Sequence, residues 1–165
     1  MTENRPGLGD RDGPLTHYQA AALDYRRRLG WWATARGSEV WTSPGHPLEA
    51  LIVPVDIARS ALIELWQAGA STPVARMPGP PAERWLFLTQ PGAVPVEEIA
   101  AIFPFDGEIG YAHRGPARHQ AVSWGIGLPP TRHPGSEPWS WITPDGTTLA
   151  PLLLVVGAVL RAVNR

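Results

Sequence analysis

The chain has 165 residues, of which 44% are hydrophobic and 18% charged, and its net charge is −1. This length and composition predict one folded domain with a real core, and the charge excludes the global basic field of many nucleic-acid-binding proteins. The sequence has no cysteine, which excludes disulfides, thiol catalysis and cysteine-ligated zinc.

The amino-terminal stretch MTENRPGLGDRDGP is polar and rich in glycine and proline. We therefore predict a disordered tail over residues 1–14 and a single domain over residues 15–165. The stretch lacks the apolar region of a signal peptide, and the longest apolar run, Leu152–Leu160, is too short to cross a bilayer. These features predict a cytoplasmic protein without membrane attachment.

The first half of the chain predicts two helices and three strands. Thr16 and Gln19 form a T-x-x-Q capping box, which predicts a helix that ends at Gly30. WWATA and EVWTS flank the turn residues RGS and predict a β-hairpin, and EALIVP predicts a buried strand. The segment VDIARSALIELWQAGA predicts a second helix, with Asp56 at its N-cap.

The second half predicts the rest of the sheet. TPVARM and RWLFLT are strands joined by a proline-rich turn, and PVEEIAAIF is a short helix. EIGYAH, QAVSWGIG and PWSWI predict three further strands before a last helix that begins near Pro151. This order predicts an α+β domain in which helices pack on a largely antiparallel sheet.

Few carboxylates are placed for metal-dependent phosphoryl transfer, which requires two or more of them close together. Asp56 has no acidic neighbour two residues away, and capping explains it well. Asp106 and Glu108 have a D-x-E spacing that could share one strand face, although a turn at Asp106-Gly107 explains the aspartate as simply. A phosphate-binding glycine loop and a G-x-S-x-G motif are missing. The residues predict no metal site.

The segment GLPPTRHPGSEPWSWITPDG combines stiff prolines with arginine, histidine and tryptophan. It is consistent with a packed loop and also with the wall of a pocket that contacts a nucleotide or phosphate. Trp139 and Trp141 are same-face neighbours on the predicted strand, so they are candidates for stacking on bases, with core packing as the alternative.

Four blocks of the chain, in the order in which they occur, resemble the bifunctional DNA primase/polymerase N-terminal domain of the archaeo-eukaryotic primase superfamily. The blocks are AALDYRRRLGWWATA, EALIVPVDIARSALIELW, PVARMPGPPAERWLFLTQPG and GLPPTRHPGSEPWSWI. The resemblance runs from about Ala20 to about Ile142, and its fourth block is the most specific. It implies an RRM-like core in the predicted α+β domain.

The chain departs from the family at the residues that carry its chemistry. Family members hold divalent metal with a D-x-D pair in the second block, where this chain has Pro54 and Asp56. In the third block they have a Gly-Gly turn and a histidine that contacts nucleotide phosphate, where this chain has Pro80-Pro81 and Trp85. The resemblance therefore implies the scaffold and argues against the reaction.

The fourth block keeps more of the pattern that the resemblance implies. Thr131 retains a hydroxyl where serine is usual, and Arg132 and His133 supply hydrogen-bond donors beside it. If the loop keeps its role, we expect these residues to line a concave, positively charged patch together with Arg76 and Arg84 from the neighbouring hairpin. Such a patch would bind phosphate groups.

The leading functional hypothesis is a primase/polymerase-like pseudoenzyme that binds single-stranded nucleic acid, a nucleotide or a regulatory protein partner. A second hypothesis is an enzyme with a rebuilt site in which Asp56, Asp106 and Glu108 share a metal. Only that hypothesis calls for a Mg²⁺ or Mn²⁺ cofactor. A third is a protein-interaction subunit that uses its apolar last helix or exposed tryptophans.

Overall fold

The computed structural model describes residues 14–43, 48–79, 82–92, 94–103, 109–112, 125–144, 146 and 148–165. In this part the α-helices are α1 His17–Asp24, α2 Val55–Gln67, α3 Val96–Ile102 and α4 Leu152–Val163. The strands are β1 Ala33–Arg36, β2 Glu39–Thr42, β3 Glu49–Pro54, β4 Val74–Met77, β5 Arg84–Gln90, β6 Gly110–Ala112, β7 Ile126–Leu128, β8 Ser140–Thr143 and β9 Ala150–Pro151. Each predicted helix and strand has a counterpart here, although residues 120–124 of the predicted strand QAVSWGIG and both ends of EIGYAH lie outside the described residues. Strand β9 was not predicted.

The capping residues place the first helix where the sequence predicts it. The hydroxyl of Thr16 accepts a hydrogen bond from the Gln19 backbone N–H (3.2 Å), and the Gln19 side chain accepts one from the Thr16 N–H (2.9 Å). After α1 the chain continues through a π-helical turn, Tyr25–Leu29, and stops at Gly30, whose φ is +70°. The predicted tail lies outside the described residues except for Pro14.

A six-stranded sheet forms the centre of the molecule, with strands in the order β6-β3-β5-β4-β8 and with β9 beside β5. All its pairings are antiparallel except the short parallel pairing of β5 with β9. The run β3-α2-β4-β5-α3-β6, with spatial order β6-β3-β5-β4, is the split β-α-β connectivity of ferredoxin-like sheets. The prediction of an α+β domain with a largely antiparallel sheet is confirmed.

A second, three-stranded sheet has the order β1-β2-β7 and is antiparallel throughout. It contains the predicted hairpin, in which Arg36 pairs with Glu39 next to the turn. Strand β7 joins β2, with Gly127 opposite Trp41. The order of the predicted elements did not show that the strands divide into two sheets; the structure shows this.

Both faces of the central sheet are buried, because successive residues of β3 point into different apolar clusters. Leu51 and Val53 belong to the cluster formed with α2 and α4. Ala50 and Ile52 belong to the cluster formed with α1 and the smaller sheet. Alternation along a strand sends neighbouring side chains to opposite faces, and an apolar run therefore suits a strand covered on both sides.

The N-cap of α2 differs from the prediction. Pro54 is the N-cap, in an extended conformation, and Asp56 lies in the first turn of the helix. The N-cap lies two residues earlier than predicted, and the Val55 N–H at the start of the helix donates to the Glu83 carbonyl (3.3 Å), next to the strand pair β3-β5. Asp56 therefore interacts with the positive end of the helix dipole but does not cap it.

Candidate functional site

The loop from Pro129 to Trp139, here called the proline loop, is held along the smaller sheet by its backbone. The Arg132 N–H donates to the Ser38 carbonyl (2.8 Å), and the Trp139 N–H donates to the Thr131 carbonyl (2.8 Å). The hydroxyl of Tyr25 donates to the Pro129 carbonyl at 2.6 Å. The loop is thus anchored to the π-helical turn and to the hairpin turn.

Thr131 is the most deeply buried of the predicted site residues, with 0% of its surface exposed. Its hydroxyl accepts from the Val40 N–H (2.8 Å) and donates to the Val40 carbonyl (3.0 Å). These two bonds hold the buried side chain against the Val40 backbone in β2, so Thr131 does not line a surface patch.

We expect Thr131→Val to lower the free energy of unfolding by about 1–3 kcal/mol, because it removes both buried hydrogen bonds between the hydroxyl and the Val40 backbone. Thr131→Ser keeps the hydroxyl and serves as the matched control. Urea denaturation of both variants measures the difference. Equal stability of the valine variant and wild type would show that the hydroxyl does not hold the loop.

Arg132 and His133, the other two predicted loop residues, lie nearer the surface. Arg132 is exposed, and its Nε donates to the Ser136 carbonyl (3.1 Å). His133 Nδ1 lies 3.1 Å from Oε1 of Glu39, and its ring meets Trp139 edge-on. His133 therefore links the loop to the hairpin beside a carboxylate.

The structure places Arg76 beside the proline loop, where it contacts acidic partners. Arg76 Nε and Nη1 each lie 2.7 Å from a carboxylate oxygen, of Glu83 and Glu137 respectively. The hydrogen bonds to Glu137 and Glu83 raise the pKa of Arg76. Arg84 is half-buried on β5, opposite Met77 of β4. The charge of Arg76 is compensated in this arrangement.

The carboxylate of Glu83 is held by several groups. Burial raises its pKa, but hydrogen bonds from Trp85 and Arg76, together with the charge of Arg76, outweigh that effect and lower the pKa overall. Trp85 Nε1 lies 3.0 Å from Glu83 Oε1, and the indole is 8% exposed in the core with α2. Trp85 is therefore a core side chain.

Trp139 and Trp141 are placed differently from each other. Strand β8 begins at Ser140, and Trp139, just before it, is 6% exposed. Trp141 is half-buried; its Nε1 lies 3.2 Å from the Tyr25 hydroxyl and its ring meets the Tyr25 ring edge-on. Both indoles line a shallow cleft of about 300 Å³ with Tyr25, Pro129 and Pro130. Little of the Trp139 ring is left for stacking.

Asp56 is exposed on α2. Among the described residues no three histidine or acidic side chains are grouped as a metal ion would require. Asp106 and Glu108, the other two carboxylates of the enzyme hypothesis, lie outside the described residues.

A cleft that the sequence interpretation missed lies where the π-helical turn meets β1. Its volume is about 550 Å³, and it is lined by Arg26, Gly30, Trp31, Trp32, Thr34 and Ser43. Trp32 is 80% exposed, whereas Trp31 is 2% exposed. Strand alternation could have indicated the exposure of Trp32, since Ala33 faces inward and its neighbours along the strand must face outward. We name this region the arginine–tryptophan cleft.

The architecture defines an α+β protein with a split β-α-β sheet covered on both faces. Comparison with protein-family models, curated proteins and solved structures finds no match for this chain. None of the described helices has the length and apolar character needed to cross a membrane.

Proposed function

We propose that this chain is a non-catalytic, primase/polymerase-like domain of the cytoplasm that binds single-stranded nucleic acid. The observation that carries the non-catalytic part is the environment of Asp56, which is exposed on α2. The residue two positions before it is Pro54, and no metal-ligating group of three side chains surrounds it within the described ranges.

One carboxylate is insufficient for the reaction that the resemblance suggests. Two-metal phosphoryl transfer uses several anionic ligands to hold the ions and to position the triphosphate. The burial of Trp85 in the core with α2 supports the same conclusion, because it leaves no imidazole at the position matched to the family's phosphate-contacting histidine.

Binding of nucleic acid is supported by the arginine–tryptophan cleft, which combines the chemistry that single strands require. An exposed indole offers a surface for base stacking, and arginine offers a fork that matches phosphate oxygens. Trp32 supplies the first and Arg26 the second. The binding is expected to be weak at physiological salt, because the whole chain has a net charge of −1.

The proposed lack of catalysis is tested by incubating the protein with template, nucleotides and Mn²⁺. We expect no product above a mock preparation and no Mn²⁺-dependent rise in melting temperature, because bound metal would stabilise the folded state by mass action. Product that is lost in both Asp56→Asn and the double variant Asp106→Asn/Glu108→Gln would overturn the proposal in favour of a rebuilt metal site.

A further inference from the structure

Charge is unevenly distributed along this nearly neutral chain. Between Tyr25 and Ser43 there are four arginines and one glutamate, whereas the chain as a whole has 14 basic and 15 acidic residues. One of the four, Arg28, forms an ion pair with Asp24 (2.9 Å). The other three, Arg26, Arg27 and Arg36, are exposed and have no carboxylate partner among the described residues.

Arg26 is held in place by the backbone that follows it. Its Nε donates a hydrogen bond to the carbonyl of Ala33, across the turn at Gly30. This bond fixes the guanidinium at the wall of the cleft, and its two terminal nitrogens have no partner among the described residues. A guanidinium fixed by Nε and open at both terminal nitrogens is suited to bidentate binding of a phosphate.

Strand alternation puts an aromatic ring and another cation on the same outer face. Trp32, Thr34 and Arg36 are exposed, whereas Ala33 is fully buried and Ala35 is half-buried. Thr34 lies opposite Trp41 and Arg36 lies opposite Glu39. This face therefore has Arg36 at one end and the exposed indole of Trp32 at the other, where Arg26 lines the cleft.

The single acid of this segment is already engaged. The two oxygens of the Glu39 carboxylate accept from Trp41 Nε1 (3.0 Å) and contact His133 Nδ1 (3.1 Å). The arrangement differs from that of Arg76, whose guanidinium is bound by two glutamates. The open cations therefore lie on the π-helical turn and the hairpin, and not at the β4 end of the proline loop.

We propose that the outer face of β1, together with the arginine–tryptophan cleft, is where a single strand of DNA or RNA binds. One base stacks on Trp32, and backbone phosphates contact Arg26 and Arg36. The inference deepens the proposed function and rests on it. It places the interface on the hairpin, a surface distinct from the loop residues suggested by the sequence.

The surroundings of Trp32 favour a single strand over a duplex or a protein. Stacking on a side chain requires a base that is not already stacked in a helix. The buried core of a protein interface is more apolar than the surface around it. Here the cleft beside the exposed ring is also lined by Arg26, Thr34 and Ser43, which suits the alternating bases and phosphates of a nucleic-acid strand.

The test measures fluorescence anisotropy of a labelled oligothymidine of about 20 nucleotides, which exceeds the usual footprint of a single-strand-binding domain. We expect Trp32→Ala to weaken binding by about tenfold and Trp32→Phe to restore most of it, since a phenyl ring also stacks. Trp66→Ala and Arg59→Gln, two exposed residues of α2, are the matched controls and should bind like wild type.

Salt dependence tests the phosphate contacts. Arg26→Gln and Arg36→Gln should each reduce the slope of log affinity against log salt concentration by about 0.7, the contribution of one phosphate on a single strand. Each variant is checked for an unchanged melting temperature, and a duplex of the same sequence should bind more weakly.

The possible failures are distinguishable. If binding is unaffected by Trp32→Ala and Arg36→Gln but is lost in Trp141→Ala or Arg132→Gln, the hairpin site is overturned. The proposed function then remains intact. Absence of measurable binding by the wild-type protein at low salt would overturn both proposals. Equal or stronger binding of the duplex would overturn the stacking of a free base on Trp32.

Discussion

Replacing Trp31 with alanine should lower the free energy of unfolding by about 3–5 kcal/mol, the usual range for truncating a buried tryptophan. The side chain is 2% exposed. Its ring stacks on Tyr25 with a centroid distance of 5.6 Å, and lies 6.4 Å from the Trp141 ring. The truncation leaves a cavity where the π-helical turn, the smaller sheet and β8 meet. The loss is a large part of the total stability of a typical domain, about 5–15 kcal/mol.

Trp32→Ala is the matched control for this experiment, because the two tryptophans are adjacent in the sequence. Trp32 is 80% exposed, and its truncation should change stability by no more than about 0.5 kcal/mol. Urea denaturation followed by circular dichroism measures both variants. Similar losses for the two variants would contradict the inward and outward orientations of these side chains.

Replacing Gly127 with alanine should cost about 1–3 kcal/mol, because a methyl group at this position overlaps a neighbouring ring. A Cβ built on Gly127 would lie 2.7 Å from both Cη2 and Cζ3 of Trp139. That ring is rigid and buried, so it can move only by disturbing the proline loop. Gly127 has no positive φ, and the effect therefore reports packing and not backbone strain.

Two further variants isolate this contact. Gly146→Ala is the control, since a Cβ there meets no atom within 4 Å, and it should leave stability nearly unchanged. In a Trp139→Leu background the outer ring atoms are gone, so the added cost of Gly127→Ala should be smaller by about 0.5–3 kcal/mol. Equal costs in both backgrounds, measured by urea denaturation, would show that the ring and the methyl group do not collide.

Much of the fold could be predicted from local pattern. The Thr16 capping box, the stop at Gly30 and the hairpin around RGS depend on hydrogen bonds and torsion angles within a few residues. The strand EALIVP could be predicted from its continuous apolar run, which is typical of a strand buried on both faces. The N-cap of α2 could not be predicted in this way, since its position is set by a bond from Val55 to a carbonyl 28 residues later, in Glu83.

The candidate site was less accessible to sequence reasoning, because it depends on which charges meet. Arg76 is compensated by Glu137, which is 61 residues away, and His133 contacts Glu39, which is 94 residues away. A pattern search counts arginines and histidines but does not see these partners. The alternation around Ala33 was available as a signal for the exposure of Trp32. It identifies a cleft only when the π-helical turn brings Arg26 beside it.

The sequence alone was sufficient for the order of the four α-helices and of strands β1 to β8, for the α+β class and for the isolation of Asp56 from a second acid in its own motif. These properties depend on neighbours along the chain, whose spacing is set by covalent geometry. The folded arrangement was needed for three further properties. These are the division into two sheets, the burial of Thr131 and the identity of the arginines that have carboxylate partners. Hydrogen bonding and charge compensation act between atoms a few ångströms apart, and folding brings together residues that are distant in the chain.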